Sequence, residues 1–289
     1  MNKFERLLFE SNAFRVCEEG KPFWYTSGKI GPYFVNGHFL YGSEDDANSL
    51  LEFIDSELDN SNKEDIPGHI FSKVVVQYRS NKIYSKIIKG LIDFIKENVN
   101  VDKIDYISGG ERRDWYFSNM VAYLLKKPHI TIYKDLSCVL SNYRFTESKI
   151  VTKLEKKNVL HVADLLNQAS SYLRAWIPAI KNINGNICWS FVCIDRNQGG
   201  AEKLEYEYVK SFALMSIDPP LFGDAAELGI LTDKQYNMLI EYSADPDGTM
   251  KKFLLDHPDF LDCALNSDPK TAKRAKLCID NDLYGLNEK

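Results

Sequence analysis

The sequence lacks the features that mark several common protein classes. It has no apolar run approaching the ~18 residues that a membrane span needs. Its charged N-terminal stretch has no signal-peptide core, so we expect a soluble, cytoplasmic protein with no membrane partner. None of the 6 cysteines forms a C-x-x-C pair, which argues against a zinc cluster or a disulfide framework. The net charge of −5 argues against bulk binding to nucleic acid.

Familiar catalytic motifs are also missing. The chain contains no G-x-S-x-G, H-E-x-x-H or G-x-x-x-x-G-K-[ST] segment, so hydrolase and P-loop functions have no support. His38 and His129 have no partner at the spacing of a triad or a metal site. His161 lies within an apolar strand, where we expect a hydrogen-bonded residue of the core or of an interface.

The apolar pattern instead predicts an α/β fold. After residue 100, near-continuously apolar strands alternate with helices; the strands are predicted at 104–108, 129–133, 158–164 and 187–195. This rhythm is typical of a parallel sheet covered on both faces. The strand 187–195 is apolar on both sides and is expected in the middle of the sheet. Helices are predicted at 48–54, 83–98, 115–125 and 170–180, and the polar stretch 56–65 is expected to be an exposed linker.

Beyond residue 216 the strand pattern stops. Helical signals appear at 232–243, 248–255 and 270–279, and Asp-Pro pairs begin at 218, 245 and 268. Proline disfavours the helical conformation in the residue before it, so each pair is expected at a helix boundary. We therefore divide the chain into a domain at 1–215 and a helical C-terminal extension at 216–289.

Two predicted strands are followed by loops suited to an anion. Residues 108–115 read S-G-G-E-R-R-D-W, where glycines, arginines and a helix start together favour a phosphate site. The alternative is an ordinary strand-to-helix turn with solvated charges. Residues 159–171 read V-L-H-V-A-D-L-L-N-Q-A-S-S and end in hydroxyls at a helix start. These side chains suit a 5′-phosphate, or they are simple helix caps supplied by Asn167 or Ser170.

Two further segments add polar and aromatic groups. Residues 194–201, I-D-R-N-Q-G-G-A, again follow a strand, either as a capped turn or as part of a shared crevice. The loop at 23–36 is rich in aromatics and glycine and contains Lys29. It suits a flat, anionic ring, or it packs against the core.

Three of these segments together resemble the orotate phosphoribosyltransferase family over roughly residues 1–215. Residues 27–36, S-G-K-I-G-P-Y-F-V-N, are similar to the family's S-G-R-x-S-P-Y-F-x-N. Residues 195–201, D-R-N-Q-G-G-A, match D-R-x-x-G-G-A, and 159–171 resemble its phosphoribosyl pyrophosphate motif. The resemblance implies a phosphoribosyltransferase-type doubly wound, mostly parallel sheet with an N-terminal hood-like segment and a helical C-terminal appendage. It also implies a homodimer.

The same resemblance implies an activity and its residues. The chain would be a pentosyltransferase (a glycosyltransferase) that exchanges pyrophosphate for orotate or a related base on phosphoribosyl pyrophosphate, in pyrimidine biosynthesis, with Mg²⁺ as cofactor. The implied catalytic residues are Asp164, which also binds the metal, Arg113 and Lys134. The base would contact Phe34, Lys29 and Arg196, and the 5′-phosphate would be held by Asn167, Gln168, Ala169, Ser170 and Ser171.

The chain also departs from the family pattern. Ala163 replaces the first motif acid, Ala169 replaces the loop glycine, and Thr26 replaces a lysine. The mobile K-x-H-G loop has no counterpart at 135–140, where Arg144 or Lys149 is a hypothetical substitute. Two hypotheses follow: an active transferase, or a weak or inactive relative that binds phosphoribosyl pyrophosphate or a nucleotide as a sensor or partner-binding module.

Overall fold

A computed structural model describes residues 3–286 of the chain. Its strands are β1 (Phe14–Val16), β2 (Phe23–Trp24), β3 (Ile30–Gly31), β4 (Tyr33–Val35), β5 (Tyr106–Gly110), β6 (His129–Ile132), β7 (Cys138–Ser141), β8 (Ser148–Ile150), β9 (Asn158–Leu166), β10 (Asn186–Asp195) and β11 (Lys210–Ser216). Its α-helices are α1 (Glu5–Glu10), α2 (Glu44–Asn60), α3 (Ile66–Ser80), α4 (Lys82–Asn98), α5 (Trp115–Leu125), α6 (Ile177–Asn182), α7 (Gly200–Tyr206), α8 (Pro219–Glu227), α9 (Asp233–Ala244), α10 (Pro246–Asp256), α11 (Phe260–Leu265) and α12 (Pro269–Asp280).

The central element is a 7-stranded sheet in the order β11-β10-β9-β5-β6-β7-β8. The first five strands of that order run parallel, and β7 and β8 continue the sheet as an antiparallel hairpin beyond β6. From β5 the chain first moves to β6 on one side and later to β9 on the other. The order of the strands therefore reverses between β5 and β9, and this is where open α/β sheets bind ligands. The predicted fold class, a mostly parallel α/β sheet, is confirmed.

Helices cover the sheet as the apolar patterns predict. The leucine and the isoleucines of α4 that recur at helical spacing are buried, except for the half-buried Ile83, and nine of the eleven residues of α5 are buried. The helix that starts at 170 contains a π-helical turn, Tyr172–Trp176, before α6. Its buried side chains pack with those of β9 and β10 in one hydrophobic cluster. The carboxyl ends of β9 and β10 are therefore supported by close-packed side chains.

Three predictions about individual elements are wrong. Residues 56–65 are not a linker, because α2 continues to Asn60 and α3 begins at Ile66. The strand β10 is interior but second from the edge, and its faces are buried because helices such as α4 and α6 pack against it. The strand β9 does not end at Asp164, since pairing with β10 continues to Leu166.

The chain separates into two compact units. Residues 3–13 and Asn36–Ile217 form the unit that contains the 7-stranded sheet, while Phe14–Val35 join residues 218–286 in the other. In the second unit β1 pairs with β4 and β2 pairs with β3, both antiparallel. The division into a domain at 1–215 and a helical extension at 216–289 stays a prediction, since this grouping does not test it.

In the second unit, each Asp-Pro pair marks the start of a helix. Asp218, Asp245 and Asp268 are the N-caps of α8, α10 and α12, and each side chain accepts a hydrogen bond from a backbone N–H of the first turn. Proline follows at the first helical position, where its missing N–H costs nothing. The predicted helix boundaries are confirmed. None of the helices within residues 3–286 is long and apolar enough to span a bilayer.

Candidate functional site

Four loops meet at the carboxyl ends of the parallel strands. They follow β5, β6, β9 and β10, which are neighbours in the sheet, and they carry most of the residues that the sequence singled out. Arg113 follows β5, Lys134 follows β6, 167–171 follow β9, and Arg196 follows β10. The structure therefore brings these residues to one edge, centred on the β5/β9 switch point. Their individual roles stay predictions.

The loop after β5 is closed by one of its own side chains. The Asp114 carboxylate accepts hydrogen bonds from Gly110 N at 3.0 Å and from Asp164 N at 3.3 Å. His161 Nε2 lies 3.3 Å from the same carboxylate. Asp114 is 7% exposed, so these contacts are made out of water, where charge-assisted hydrogen bonds are strong. A carboxylate of the chain thus occupies backbone donors at the switch point.

Two glycines end β5 immediately before this loop, and close packing explains both. A Cβ on Gly109 would lie 2.2 Å from Ser118 Oγ, and a Cβ on Gly110 would lie 2.2 Å from the Trp176 ring. Glycine is therefore required by close packing against two side chains. The prediction of glycines that let an anion approach is not needed to explain them.

The charged residues of the same loop are mostly paired within the chain. Arg112 forms an ion pair with Asp55 of α2. Lys134 Nζ lies 3.2 Å from Glu111 Oε1, and Lys134 N donates to the other oxygen of Glu111 at 3.0 Å. Arg113 differs, because it is exposed and forms no ion pair with residues 3–286. Only Arg113 of these cations offers its full charge to a ligand.

Asp164 is a buried carboxyl group beside a second one. It is 7% exposed, and burial, with the negative charge of Asp114, raises the pKa of Asp164 to about 7. The positive charge of Arg113 opposes this shift. A Cβ on Gly37 would lie 2.7 Å from the Asp164 carbonyl oxygen, so the segment after residue 35 packs directly on this part of β9.

His38 lies beside this cluster and was not predicted. It is 3% exposed, and its Nδ1 has no hydrogen-bond partner in the described part of the chain. Burial, then the charges of Arg113 and Arg112, lowers the pKa of His38 to about 3. The ring is therefore neutral at physiological pH. Sequence spacing could not identify it, because its neighbours come from a loop more than seventy residues away.

The other two histidines of the sheet are structural. His161 is fully buried, with Ser108 Oγ at 2.9 Å from Nδ1 and Asp114 on the other nitrogen. His129 is fully buried between Ser118 and Thr131. The expectation of a hydrogen-bonded residue at His161 is confirmed, and it lies in the core. The hydroxyl of Ser108 and the imidazole of His161 are fully buried, so this series of a hydroxyl, an imidazole and a carboxylate has no exposed nucleophile.

In contrast to the loop after β5, the loop after β9 exposes its polar side chains. Asn167, Gln168, Ser170 and Ser171 are exposed, and none of the hydrogen bonds described for residues 3–286 uses their side chains as helix caps. Ala169 is buried and has a φ of 55°, a conformation that favours glycine. Ala169 therefore adopts a left-handed backbone conformation that glycine would adopt more readily.

The loop after β10 packs against the loop after β9. A Cβ on Gly200 would lie 2.3 Å from the Asn167 carbonyl oxygen, and Gly199 has a φ of 77°. Both glycines are required by this turn and close approach. Arg196 is half-buried, and its backbone N donates to Leu166 O at 3.0 Å. The D-R-N-Q-G-G-A segment thus fixes Arg196 next to the end of β9.

The segment that should carry a closing loop forms a tight turn instead. Residues 133–137 connect β6 to β7 through hydrogen bonds from Leu136 N to Tyr133 O and from Tyr133 N to Ser137 O, both 3.0 Å. Lys63 of the α2–α3 connection binds Asp135 and, at 2.8 Å, Ser137. Lys63 thus holds this turn against the α2–α3 connection.

Neither proposed substitute for that loop is well placed. Arg144 lies in the β7–β8 connection, and because β7 runs antiparallel to β6, this connection is at the amino ends of the parallel strands. Lys149 lies on β8, four strands away from β9 in the sheet. Within one chain, both side chains are therefore distant from β9, and their role in place of the missing loop at the departing pyrophosphate stays a hypothesis.

The residues predicted to bind a base lie partly in the other unit. Phe34 is on β4, half-buried, with its ring 6.0 Å from that of Phe23. The Lys29 ammonium forms an ion pair of 2.7 Å with Asp247 of α10. The segment around them packs under the C-terminal helices, since Trp24 stacks on Phe260 at 5.7 Å and Ile30 joins their hydrophobic cluster. The aromatic loop therefore packs against other residues of the chain, which is the alternative stated above.

The side chains around Asp164 fit a resident Mg²⁺ ion poorly. Within residues 3–286 no group of three or more His, Cys, Asp or Glu is arranged to hold a metal. Ala163 stands where a second acid was expected, and Asp164 itself is buried with a raised pKa. Mg²⁺ sites commonly use one or two ionised carboxylates with ligand phosphates. The Mg²⁺ requirement therefore stays a prediction, and no step below depends on it.

Comparison with known proteins identifies the fold. No family model matches the sequence, and no curated protein matches it. Among solved structures, Leishmania donovani UMP synthase superposes with a TM-score of 0.55 at 13% identity, covering 83% of this chain. Orotate phosphoribosyltransferase from Francisella tularensis superposes with a TM-score of 0.51 at 14% identity, covering 83% of this chain and 97% of that one.

These superpositions define a class. The chain has the phosphoribosyltransferase fold, in the form seen in orotate phosphoribosyltransferases, and the resemblance drawn from its motifs is confirmed at that level. It spans 41% of the length of the UMP synthase chain. At such low identity the likeness concerns the fold alone, so activity must be argued from the site.

Proposed function

We propose that this chain binds a phosphoribosyl compound at the carboxyl ends of β5, β9 and β10 and acts as a binding module of low or no transferase activity. One observation carries the proposal. The loops on the β5/β6 side are paired within the chain, through Arg112–Asp55, Lys134–Glu111 and Gly110 N–Asp114, whereas the 167–171 loop is exposed.

Internal pairing matters for transfer because of where charge develops. In phosphoribosyl transfer the bond from the anomeric carbon to the pyrophosphate oxygen breaks, a bond to a ring nitrogen of the base forms, and pyrophosphate departs with its electron pair. Cations and N–H groups aimed at that leaving group lower the barrier. Donors already engaged by Asp55, Glu111 and Asp114 must give up those contacts first. The pinned 133–137 turn also supplies no lid to exclude water.

The base end supports the same proposal. Recognition of the orotate carboxylate by Lys29 would have to displace Asp247, which lies 2.7 Å from the ammonium. Trp24 of the same segment is engaged by Phe260 of α11. Binding of a ligand through its ribose phosphate requires neither change.

Transfer to orotate or a related base is the second candidate, and Arg113 favours it. This exposed arginine is close enough to Asp164 and His38 to influence the pKa of both. An unpaired cation next to a buried carboxyl group suits a ligand with phosphate and ribose hydroxyls. On this candidate the protein would be a cytoplasmic, homodimeric, Mg²⁺-dependent enzyme of pyrimidine nucleotide synthesis; each of these properties stays a prediction.

A paired experiment separates the two candidates. The absorbance of orotate is followed with phosphoribosyl pyrophosphate and Mg²⁺, with the Francisella tularensis enzyme as positive control, while calorimetry measures binding of phosphoribosyl pyrophosphate. We expect saturable binding without loss of orotate absorbance. Turnover comparable to the control would overturn the proposal in favour of transfer. Absence of binding would overturn both candidates.

A further inference from the structure

The two edges of the 7-stranded sheet differ in their protection. β8, at one edge, has three residues with Lys149 at its centre, and short, charged edge strands resist pairing with other chains. β11, at the other edge, has seven residues, K-S-F-A-L-M-S, with no charge after Lys210. Only Met215 of these seven is buried. β11 pairs with β10 alone, so one row of its N–H and C=O groups has no strand partner.

A groove runs beside the first half of this edge strand. It has a volume of about 590 Å³ and is lined by α7, by the turn after it and by Lys210, Ser211 and Phe212 of β11. Tyr208 in the turn is 93% exposed and borders the groove, and Tyr206 is 84% exposed. Exposed aromatic side chains beside an open strand edge are typical of a surface that receives an extended peptide.

The charged side chains that line the groove indicate which kind of peptide it binds. Glu202 and Glu205 of α7 line it, and neither forms an ion pair within residues 3–286. Glu207, the third acid of this stretch, is already held by Lys181 at 2.9 Å. Lys210 also lines the groove but forms no ion pair with Glu202 or Glu205, so these three side chains together carry a net charge of −1. Unpaired carboxylates and accessible tyrosine rings both favour lysine or arginine side chains, the second through cation–π contact.

We infer that β11 and the adjoining groove bind an extended, basic peptide segment of another protein, which adds to the sheet as an eighth strand. Backbone hydrogen bonds to β11 provide affinity. Alternate side chains of the peptide reach Glu202, Glu205 and Tyr208 and provide selectivity. The surface lies entirely on the sheet unit and is independent of the proposed phosphoribosyl site.

A second copy of this chain fits the charges less well. In an antiparallel β11–β11 pair, the Lys210 end of one copy faces the Ser216 end of the other. Glu202 and Glu205 lie near the Lys210 end, so the two acidic pairs are far apart and neither gains a cation. A foreign basic segment supplies that cation directly.

Fluorescence anisotropy with synthetic probes tests the inference on the full chain. The probe is a labelled, end-capped octapeptide of alternating lysine and valine. One comparator replaces lysine by glutamate, and another keeps the sequence but carries an N-methyl group on every residue, so that neither edge of the peptide can donate. We expect saturable binding of the probe, none of the acidic peptide, and at least about tenfold weaker binding of the N-methylated peptide, which lacks backbone donors on both edges. Equal binding of the N-methylated peptide would reduce the contact to charge attraction and overturn strand addition.

Matched variants locate the site. Glu202→Gln with Glu205→Gln should weaken the probe roughly tenfold through loss of two ion pairs. Glu52→Gln with Asp59→Asn removes the same charge from the exposed side of α2 and should change affinity less than about twofold. Equal losses in the two variants would overturn the location. A dimer in sedimentation equilibrium that the probe dissociates would assign the edge to a second copy instead.

Discussion

Two loops at the carboxyl ends of the parallel strands differ in how much of their polar surface is available to a ligand. They are 111–114 after β5 and 167–171 after β9. The first holds four charged side chains, yet three of them are engaged by groups of the chain itself. The second holds no charge, and its polar side chains are exposed. The density of charge in a loop is therefore a poor guide to its capacity for an anion. What matters is which donors remain after the chain has satisfied its own buried groups.

The largest effect is expected from restoring the missing acid of β9. Ala163→Asp would put a carboxylate into a cluster that contains Trp176 and Val192, at a position 2% exposed. We expect a loss of roughly 3 kcal/mol or more in the free energy of unfolding, measured in urea, because the charge has no partner there. Ala163→Ser is the matched control and should cost less. A stable Ala163→Asp protein that gains Mg²⁺ affinity would contradict this account of β9.

The next effect concerns the carboxyl pair between the two loops. The folded-state pKa of Asp164 is about 7 against an ordinary 3.8, so between these values the folded chain binds more protons than the unfolded chain. The free energy of unfolding should therefore fall as pH rises from about 4 to about 7. Asp164→Asn should reduce this fall and stabilise the protein above pH 7, by about 1.4 kcal/mol per unit of pKa shift removed.

Urea titrations at several pH values, with Asp59→Asn as the control at an exposed acid, provide the measurement. An Asp164→Asn protein with the pH dependence of the parent chain would mean that Asp164 is ionised without cost in the fold. The contrast between a closed and an open loop would then lose its electrostatic basis.

The loops should differ in their contribution to ligand binding. Ser170→Ala with Ser171→Ala removes two exposed hydroxyls after β9, and we expect about a tenfold loss of affinity for ribose 5-phosphate in calorimetry. Lys134→Ala removes a charge already paired with Glu111, and we expect less than about a twofold change. The reverse order of effects would show that the loops after β5 and β6 hold the ligand.

The smallest effect is expected at Ala169, whose φ of 55° strains an alanine. Ala169→Gly relieves about 1–2 kcal/mol of backbone strain and loses the burial of one methyl group, worth about 0.8 kcal/mol. A net stabilisation of up to about 1 kcal/mol is expected in thermal unfolding. Ala179→Gly, in helix α6, should instead destabilise. Destabilisation of similar size at both positions would indicate that the turn holds no strain.

Periodicity and turn chemistry predicted much of the fold. The helices α4 and α5, the alternation of strands and helices, and the three Asp-Pro caps depend on neighbours within a few residues. The helix α3 was missed, although Ile66, Ile70 and Val74 recur at four-residue spacing and are buried. Its valine run and internal glycine resemble a loop or strand, and packing in the tertiary structure overrides that local preference.

The site was predicted less completely because its decisive contacts join distant segments. Motif positions placed Arg113, residues 167–171 and Arg196 in loops after β5, β9 and β10, although β5 and β9 each end two residues later than predicted. Nothing local indicates that Asp114 bonds to β9, that Asp247 pairs with Lys29 across 218 residues, or that His38 lies near two arginines. Gly109 and Gly110 illustrate the same limit, because the side chains that require them come from other elements.

Calorimetry with two ligands tests the central claim most directly. Ribose 5-phosphate and phosphoribosyl pyrophosphate are titrated into the full chain with and without Mg²⁺. If the loop after β9 holds the ligand while the loops after β5 and β6 stay closed, the two dissociation constants should agree within about threefold and Mg²⁺ should leave both unchanged. Binding of the pyrophosphate more than tenfold tighter, and only with Mg²⁺, would contradict the account and restore a transferase site.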